Sequence, residues 1–355
     1  MLNQFLNFIS TKILIREEEK ILLAVSGGID SMVMAHLFSR ASFPIAIAHC
    51  NFGLRGEESD GDQQFVFSFA ANEHIPCHIK SFDTLGYAHE HGVSIQMAAR
   101  ELRREWFEAL CQQEHYASVA TAHHLNDALE TVLFNLAKGT GIAGLKGILP
   151  HHQRYIRPLM FASREMIEHY AREQQLNWRE DKSNSTIKYH RNLIRHQVVP
   201  ELKKINPSLE NTLAQSLEKI AAAERIFRLA MEKLKKDLIT PNSDGFGISK
   251  YQLQQCPEAT LVLFEILEPL GFNYHQCREI CQNLDSQPGT SFLSSTYRLI
   301  IDREYVFVHA ASPKHSDEIT IVAEDLKLDW AVGGLVFEKS MCSRCVLTWI
   351  KIGYL

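Results

Sequence analysis

Over the first two hundred residues, short apolar runs alternate with amphipathic stretches. This pattern predicts a parallel sheet covered by helices. Residues 21–25 read as a buried strand and 32–38 as the helix after it. Residues 45–49 form a second strand, followed by a polar loop over 51–58 and a helix over 63–72. A third strand is expected at 77–82, a long helix at 94–113, a fourth strand at 117–122 and a helix at 126–138. Strand, crossover and strand recur, so the fold class is α/β, a doubly wound parallel sheet occupying residues 1–207.

After Pro207 the pattern changes. Residues 209–238 are rich in Ala, Leu, Glu and Lys at helical spacing, and Pro-Asn-Ser-Asp-Gly at 241–245 closes them with turn chemistry. Further helices are expected at 261–270 and 276–284, and a hairpin at 297–309. Residues 208–315 are therefore expected to form a second, mainly helical domain. Residues 316–355 hold short strand-like pieces and are expected to be a partial or truncated C-terminal domain.

Composition adds limits rather than identity. The 355 residues are 45% hydrophobic and 22% charged, as in an ordinary soluble globular protein. The formal net charge of -5 does not advertise a nucleic-acid binder, although a local basic patch can bind phosphates on an acidic protein. The eight cysteines show no regular framework, and the first residues lack a basic region followed by an apolar one. Reduced thiols and a cytoplasmic location are expected. No run of about eighteen apolar residues suggests a membrane span.

The most informative segment follows the first strand: Ser26, Gly27, Gly28, Ile29, Asp30 and Ser31. Two glycines let the backbone turn tightly and bring N–H groups close to an anion, and the next helix offers its positive end to the same anion. Ser26 and Ser31 add hydroxyls suited to phosphate oxygens. Asp30 fits such a site only if a magnesium ion bridges it to the phosphates. The competing reading is a plain strand-to-helix turn. The Walker pattern G-x-x-x-x-G-K-[ST] is absent. The hexapeptide resembles the signature of the ATP pyrophosphatase, or PP-loop, family, which splits ATP between its α and β phosphates.

Three further segments narrow the resemblance. They are residues 49–60, beginning His49-Cys50-Asn51-Phe52; residues 120–131 running on to Gly139, Gly141 and Gly144; and residues 178–185, beginning Trp178-Arg179, with Arg191 to His196 after them. Their order and spacing resemble the tRNA(Ile)-lysidine synthetases, closely over the first two hundred residues and loosely beyond. The resemblance implies that ATP adenylates the C2 carbonyl oxygen of the wobble cytidine in a tRNA(Ile) with a CAU anticodon. The amine of L-lysine then attacks C2 and expels AMP. It also implies ATP and magnesium as cofactors, a homodimer, and ATP contacts from His49 and His123 as well as the loop. Phe52 stands where these enzymes commonly have His. Rival readings are another adenylating enzyme, such as a tRNA thiolase or an amide-forming synthetase, and a non-catalytic tRNA-binding protein.

Individual residues carry paired readings. On a continuous helix His123, Asp127 and Glu130 would share one face. Asp127 and Glu130 then serve lysine's ammonium or magnesium, with His123 beside the nucleotide, or the acids merely complement the helix's positive end. Arg100 and Arg103 are candidate catalytic guanidiniums on the long helix, against a solvated face paired with Glu101 and Glu105. Gly139, Gly141 and Gly144 spell a dinucleotide fingerprint in the wrong context, after a helix, and fit a loop closing over the cytidine. Arg55, Lys182, Lys188, Arg191 and Arg195 are candidate tRNA contacts, against an ordinary solvated surface. Trp178 and Tyr189 could stack bases, though Trp178 could equally belong to the core. The pair Cys342 and Cys345 supplies only two ligands, so metal binding there is not expected.

Overall fold

A computed structural model describes residues 1–13, 15–16, 18–179, 190–311, 327–330 and 333–336. The chain begins with α1 (Leu2–Phe8), which passes into a π-helical turn, Ile9–Ile13. Phe5, Ile9 and Ile13 recur every four residues, share one side and are buried.

The alternating pattern then unfolds as predicted, with shifted ends. In order come β1 (Ile21–Ala24), α2 (Ile29–Arg40), β2 (Ile45–Asn51), α3 (Glu57–Asn72) and β3 (Cys77–Ser81). Next are α4 (Thr84–His91), α5 (Ile95–Gln113), β4 (Ser118–Ala120), α6 (Leu125–Lys138) and a short α7 (Ile142–Leu145). The hairpin β5 (His151–His152) and β6 (Tyr155–Ile156) precedes α8 (Arg164–Glu173). After the next described stretch come α9 (His190–Leu193), a π-helical turn Ile194–Val198, α10 (Val199–Ile205) and the long α11 (Leu209–Leu238).

The sheet order is β3-β2-β1-β4-β6-β5, parallel throughout except for β5 against β6. β1 is central, with Leu23 in register with Ile47 on one side and Ala120 on the other. Its side chains alternate between two cores. Ile21 and Leu23 join Phe5, Val33, Leu37 and Phe38, whereas Leu22 joins Phe107, Leu110 and Val119 from the opposite face. Helices thus cover both faces, the doubly wound arrangement.

Three local differences from expectation have physical causes. α3 starts at Glu57, inside the expected loop, because Glu57, Glu58 and Asp60 in its first turn suit the positive helix end. α4 is short and ends on left-handed Gly92, too little periodic sequence to stand out. His124 has extended backbone angles and precedes α6, so His123 is not on that helix; its shared helical face with Asp127 and Glu130 is not formed.

The chain separates into two compact units, residues 1–230 and 231–355. α11 begins in the first, where Leu213 and Leu217 pack against Ala128 and Met160. The second unit carries more sheet than the helical pattern suggested. β7 (Ile239–Asn242), β8 (Gly245–Ser249), β9 (Ser291–Leu293), β10 (Tyr297–Ile301) and β11 (Tyr305–Ala310) form one antiparallel sheet in the order β7-β8-β11-β10-β9. The expected hairpin is β10–β11, where alternation buries Leu299, Ile301, Val306 and Val308. The turn chemistry at 241–245 joins β7 to β8. Pro and Gly hid these strands, yet a Cβ on Gly245 would collide with the Val308 carbonyl oxygen, so glycine permits the pairing. Helices α12 (Lys250–Gln254), α13 (Ala259–Leu267) and α14 (Tyr274–Gln282) add buried Leu253, Leu263, Leu267, Cys277 and Ile280. A separate two-stranded piece, β12 (Lys327–Trp330) with β13 (Gly333–Val336), matches the strand-like character expected of the tail.

Candidate active site

The glycine loop sits at the carboxyl end of β1. Gly27 has φ +94°, a conformation that L side chains rarely adopt, and Gly28 is the extended residue that caps α2. The Ser31 hydroxyl lies under the turn. It accepts from the N–H groups of Ser26 and Gly27 at 3.2 Å each and donates to the Gly28 carbonyl at 2.8 Å. Ser31 therefore braces the loop with a proton already in use, while Ser26 is exposed. The Arg179 N–H donates to the Gly27 carbonyl at 3.0 Å, so the segment after α8 clamps the turn.

This loop forms one wall of a cavity of about 840 Å³. Among the expected residues, Ser26, Gly28, Ile29, Asp30, Ser31, Arg55, Arg103 and His123 line it. Gly27 contributes the turn rather than the wall. His49 stands behind the loop, buried, with Nδ1 at 2.9 Å from the Val25 carbonyl, and is not a lining residue. Arg100 is exposed on α5 and does not line the cavity, whereas Arg103, three residues on, does. His123 holds Nδ1 2.9 Å from the Thr121 hydroxyl. Burial pushes its pKa down to about 4, against the opposing pull of Asp127, so it is neutral at pH 7. Phe52 also lines the cavity, stacked on Phe82 with ring centroids 5.6 Å apart.

Beside the loop lies a chain of charges that the sequence pattern did not reveal. Arg164 Nη1 donates to both Asp30 oxygens at 2.9 Å, and its Nε donates to Glu168 at 2.9 Å. The His124 ring is buried with Nε2 3.7 Å from Asp30 and 3.6 Å from Asp127; its Nδ1 has no hydrogen-bond partner among the described residues. Asp127 accepts from the His124 N–H at 2.9 Å and faces Arg195 at 3.4 Å. Glu130, only 3% exposed, accepts from Arg195 Nε at 2.6 Å and Nη2 at 3.0 Å. Burial raises the Glu130 pKa, and the Arg195 hydrogen bonds pull it back only in part. Glu130, Arg195, Arg164, His124 and His196 line a second, smaller cavity of about 300 Å³. Arg164 and His196 belong to both cavities.

The expected tRNA contacts divide. Arg55 sits in the large cavity, 2.7 Å from Asp62, which Arg179 also contacts. Arg191 is exposed and reaches the Thr131 hydroxyl at 3.4 Å. Arg195 is turned inward onto two carboxylates instead of outward to solvent phosphates. Lys203 is similarly bridged to Glu165 and Glu210, both at 2.8 Å. Lys182 and Lys188 lie outside the described residues, as do Tyr189, Cys342 and Cys345.

Arg164 and His124 are the residues that sequence reasoning missed. A signal for the first existed: Ser163 precedes an amphipathic run, and its side chain accepts from the Met166 N–H as a helix cap. Nothing in that local pattern says that the helix starts beside Asp30, 134 residues away.

Known proteins agree with this architecture. The PP-loop domain family matches residues 1–202, and the TilS substrate binding domain family matches residues 241–311. The tRNA(Ile)-lysidine synthase of Parabacteroides distasonis is 40% identical over 301 residues, covering 85% of this chain and 68% of its own length. That of Porphyromonas gingivalis is 40% identical over 304 residues, covering 85% and 66%. That of Bacteroides thetaiotaomicron is 38% identical over 322 residues, covering 91% and 74%. The chain thus spans about two thirds to three quarters of the length of these relatives. Among solved structures, a U34-tRNA thiolase from Methanococcus maripaludis superposes with a TM-score of 0.51 at 18% identity, over 62% of this chain and 78% of the thiolase. That likeness shows the fold alone.

Proposed function

The chain belongs to the tRNA(Ile)-lysidine synthase family, tRNA-modifying ligases built on an ATP-using PP-loop domain, and on that premise we propose the following reaction. The glycine loop grips the β and γ phosphates of ATP. The C2 carbonyl oxygen of the wobble cytidine in tRNA(Ile) attacks the α phosphorus, the bond to the β-phosphate oxygen breaks, and pyrophosphate leaves. The neutral ε-amine of L-lysine then attacks C2, the C2–O bond breaks, and AMP leaves as lysidine forms. Adenylation is physically required because a carbonyl oxygen is a poor leaving group until it becomes a phosphate ester.

The observation that carries the reading is the Ser31-braced loop, at the positive end of α2, opening onto a cavity with cationic Arg55, Arg103 and Arg179 on its walls. A uniformly neutral His123 beside them suits hydrogen bonding to a nucleotide rather than charge pairing. The second cavity suits lysine's ammonium. Glu130 is the carboxylate that lines it, and Asp127, which is not a lining residue, shares the Arg195 guanidinium with Glu130. Removing a proton from that ammonium prepares the attacking amine.

Magnesium fits this donor set. Among the described residues no group of three or more His, Cys, Asp or Glu could hold a metal ion by itself. Asp30 supplies one carboxylate beside the loop, and magnesium is commonly held by one or two carboxylates plus substrate phosphates. Asp30 would hold it, and when bound the ion neutralises charge on the departing pyrophosphate. We place the enzyme in the cytoplasm as a homodimer. No helix among the described residues is long and apolar enough to cross a membrane.

The test combines the full chain with ATP, L-lysine and a tRNA(Ile) transcript carrying a CAU anticodon. Pyrophosphate should form only when ATP and the tRNA are together, AMP should be released only when L-lysine is also present, and the tRNA should then gain the mass of lysine less water. Release of ADP, or AMP formation that ignores lysine and tRNA, would overturn the assignment.

A further inference from the structure

Asp30 poses a physical problem for a nucleotide site. Its carboxylate stands in the first turn of α2, beside the loop that receives phosphates, and like charges so placed repel. The structure answers with Arg164. One guanidinium nitrogen contacts both oxygens of Asp30, while Nε is anchored on Glu168 from the other side. The arginine's own backbone N–H is fixed by the Asn126 side chain at 2.9 Å, and the Ser163 cap sets the start of its helix. Its position is thus fixed independently of any nucleotide. It also lines both cavities.

We propose that Arg164 is an internal counter-ion that occupies Asp30 until nucleotide arrives, so that a divalent cation enters only together with phosphates. A guanidinium and a divalent cation cannot both take the two Asp30 oxygens. Displacing Arg164 without offering it another anion leaves a half-buried positive charge beside the incoming cation, which opposes binding. Nucleotide phosphates supply both the missing ligands for the cation and a new partner for the guanidinium, which its Glu168 anchor keeps at the junction of the two cavities. Arg164 is therefore a positioning residue that orders the loading of the site. This inference rests on the phosphate-binding reading of the loop.

The test measures binding of manganese ions to the nucleotide-free full chain by electron paramagnetic resonance of the free ion. The parent chain should bind weakly. Arg164→Gln removes the competing charge and should tighten binding at least about tenfold, equivalent to about 1.4 kcal/mol. Arg164→Lys keeps the charge without the Nε anchor on Glu168 and should fall between the two. Adding Asp30→Asn to Arg164→Gln should abolish the gain. Affinities of both Arg164 variants within about twofold of the parent would overturn the proposal, as would a gain that survives Asp30→Asn. If Arg164→Gln fails to fold, Arg164→Lys decides alone. Should the manganese shift appear while lysidine formation does not, the functional reading falls and this one stands.

Discussion

The Arg195–Glu130 pair offers the sharpest test of how the smaller cavity is built. Glu130 is 3% exposed and its two oxygens depend on one guanidinium, at 2.6 and 3.0 Å. Arg195→Met keeps most of the side-chain volume and removes the charge, stranding a buried carboxylate. Breaking a buried pair by removing one partner typically costs about 3–5 kcal/mol. The Arg195 side chain is 38% exposed, so water reaches part of the gap, and an expectation of about 2–3 kcal/mol is reasonable. In a unit of this size that lowers Tm by roughly 4–12 °C. The pH dependence has a definite sign. Burial raises the Glu130 pKa in the folded protein, so its folded state is favoured when the group is protonated and penalised once pH passes the raised value. Losing Arg195 raises that pKa further. The variant should therefore recover part of its lost stability between pH 7 and pH 5 relative to the parent. Glu130→Gln added to Arg195→Met should restore most of the loss at pH 7, because the stranded charge is gone. Thermal melts followed by circular dichroism at both pH values complete the double-mutant cycle. An Arg195→Met protein as stable as the parent, or a double variant no better than the single, would refute the argument.

Other consequences concern the loop and its neighbours. Gly27→Ala meets only ordinary contacts, with Val66 at 3.5 Å, so its cost is the backbone strain at φ +94°, about 1–2 kcal/mol; nucleotide affinity measured by calorimetry should fall with it. Ser31→Ala removes the acceptor shared by two N–H groups and should weaken ATP binding about tenfold or more while leaving tRNA affinity unchanged; equal losses in both would show that the loop's bracing has another purpose. For His123 the folded pKa is lowered to about 4 from 6.5, so the folded protein loses stability as pH falls through that interval. His123→Asn should flatten this part of the stability profile in acid melts. Asp127→Ala should reduce lysidine formation far more than tRNA binding, as read by steady-state kinetics beside a filter-binding assay.

The chain's linear pattern was enough for the first unit's class and for the residues of its phosphate loop. The run at β1 is apolar at every position, which only a strand buried on both faces tolerates, and the Gly-Gly turn before a helix is a local device that needs no distant partner. Strands β7 and β8 were harder to read. Pro241, Gly245 and Gly247 lower strand propensity, and their pairing is decided by neighbours such as Val308 across the sheet. The same limit applies to charges. The basic character of residues 191–204 is plain from sequence, yet the inward turn of Arg195 and Lys203 depends on Glu130, Asp127, Glu165 and Glu210 from other helices.

What the sequence determined by itself was therefore whatever short-range physics decides: periodicity, helix starts, a glycine turn, and the identity of the groups that could do chemistry. Only the tertiary structure decided which of those groups meet. It separated His49 from the cavity that Arg103 enters, moved His123 off the α6 face, and set Arg164 against Asp30 across 134 positions of chain. Electrostatic pairing acts through space and burial, and neither distance nor dielectric surroundings is written in the spacing of residues along a chain.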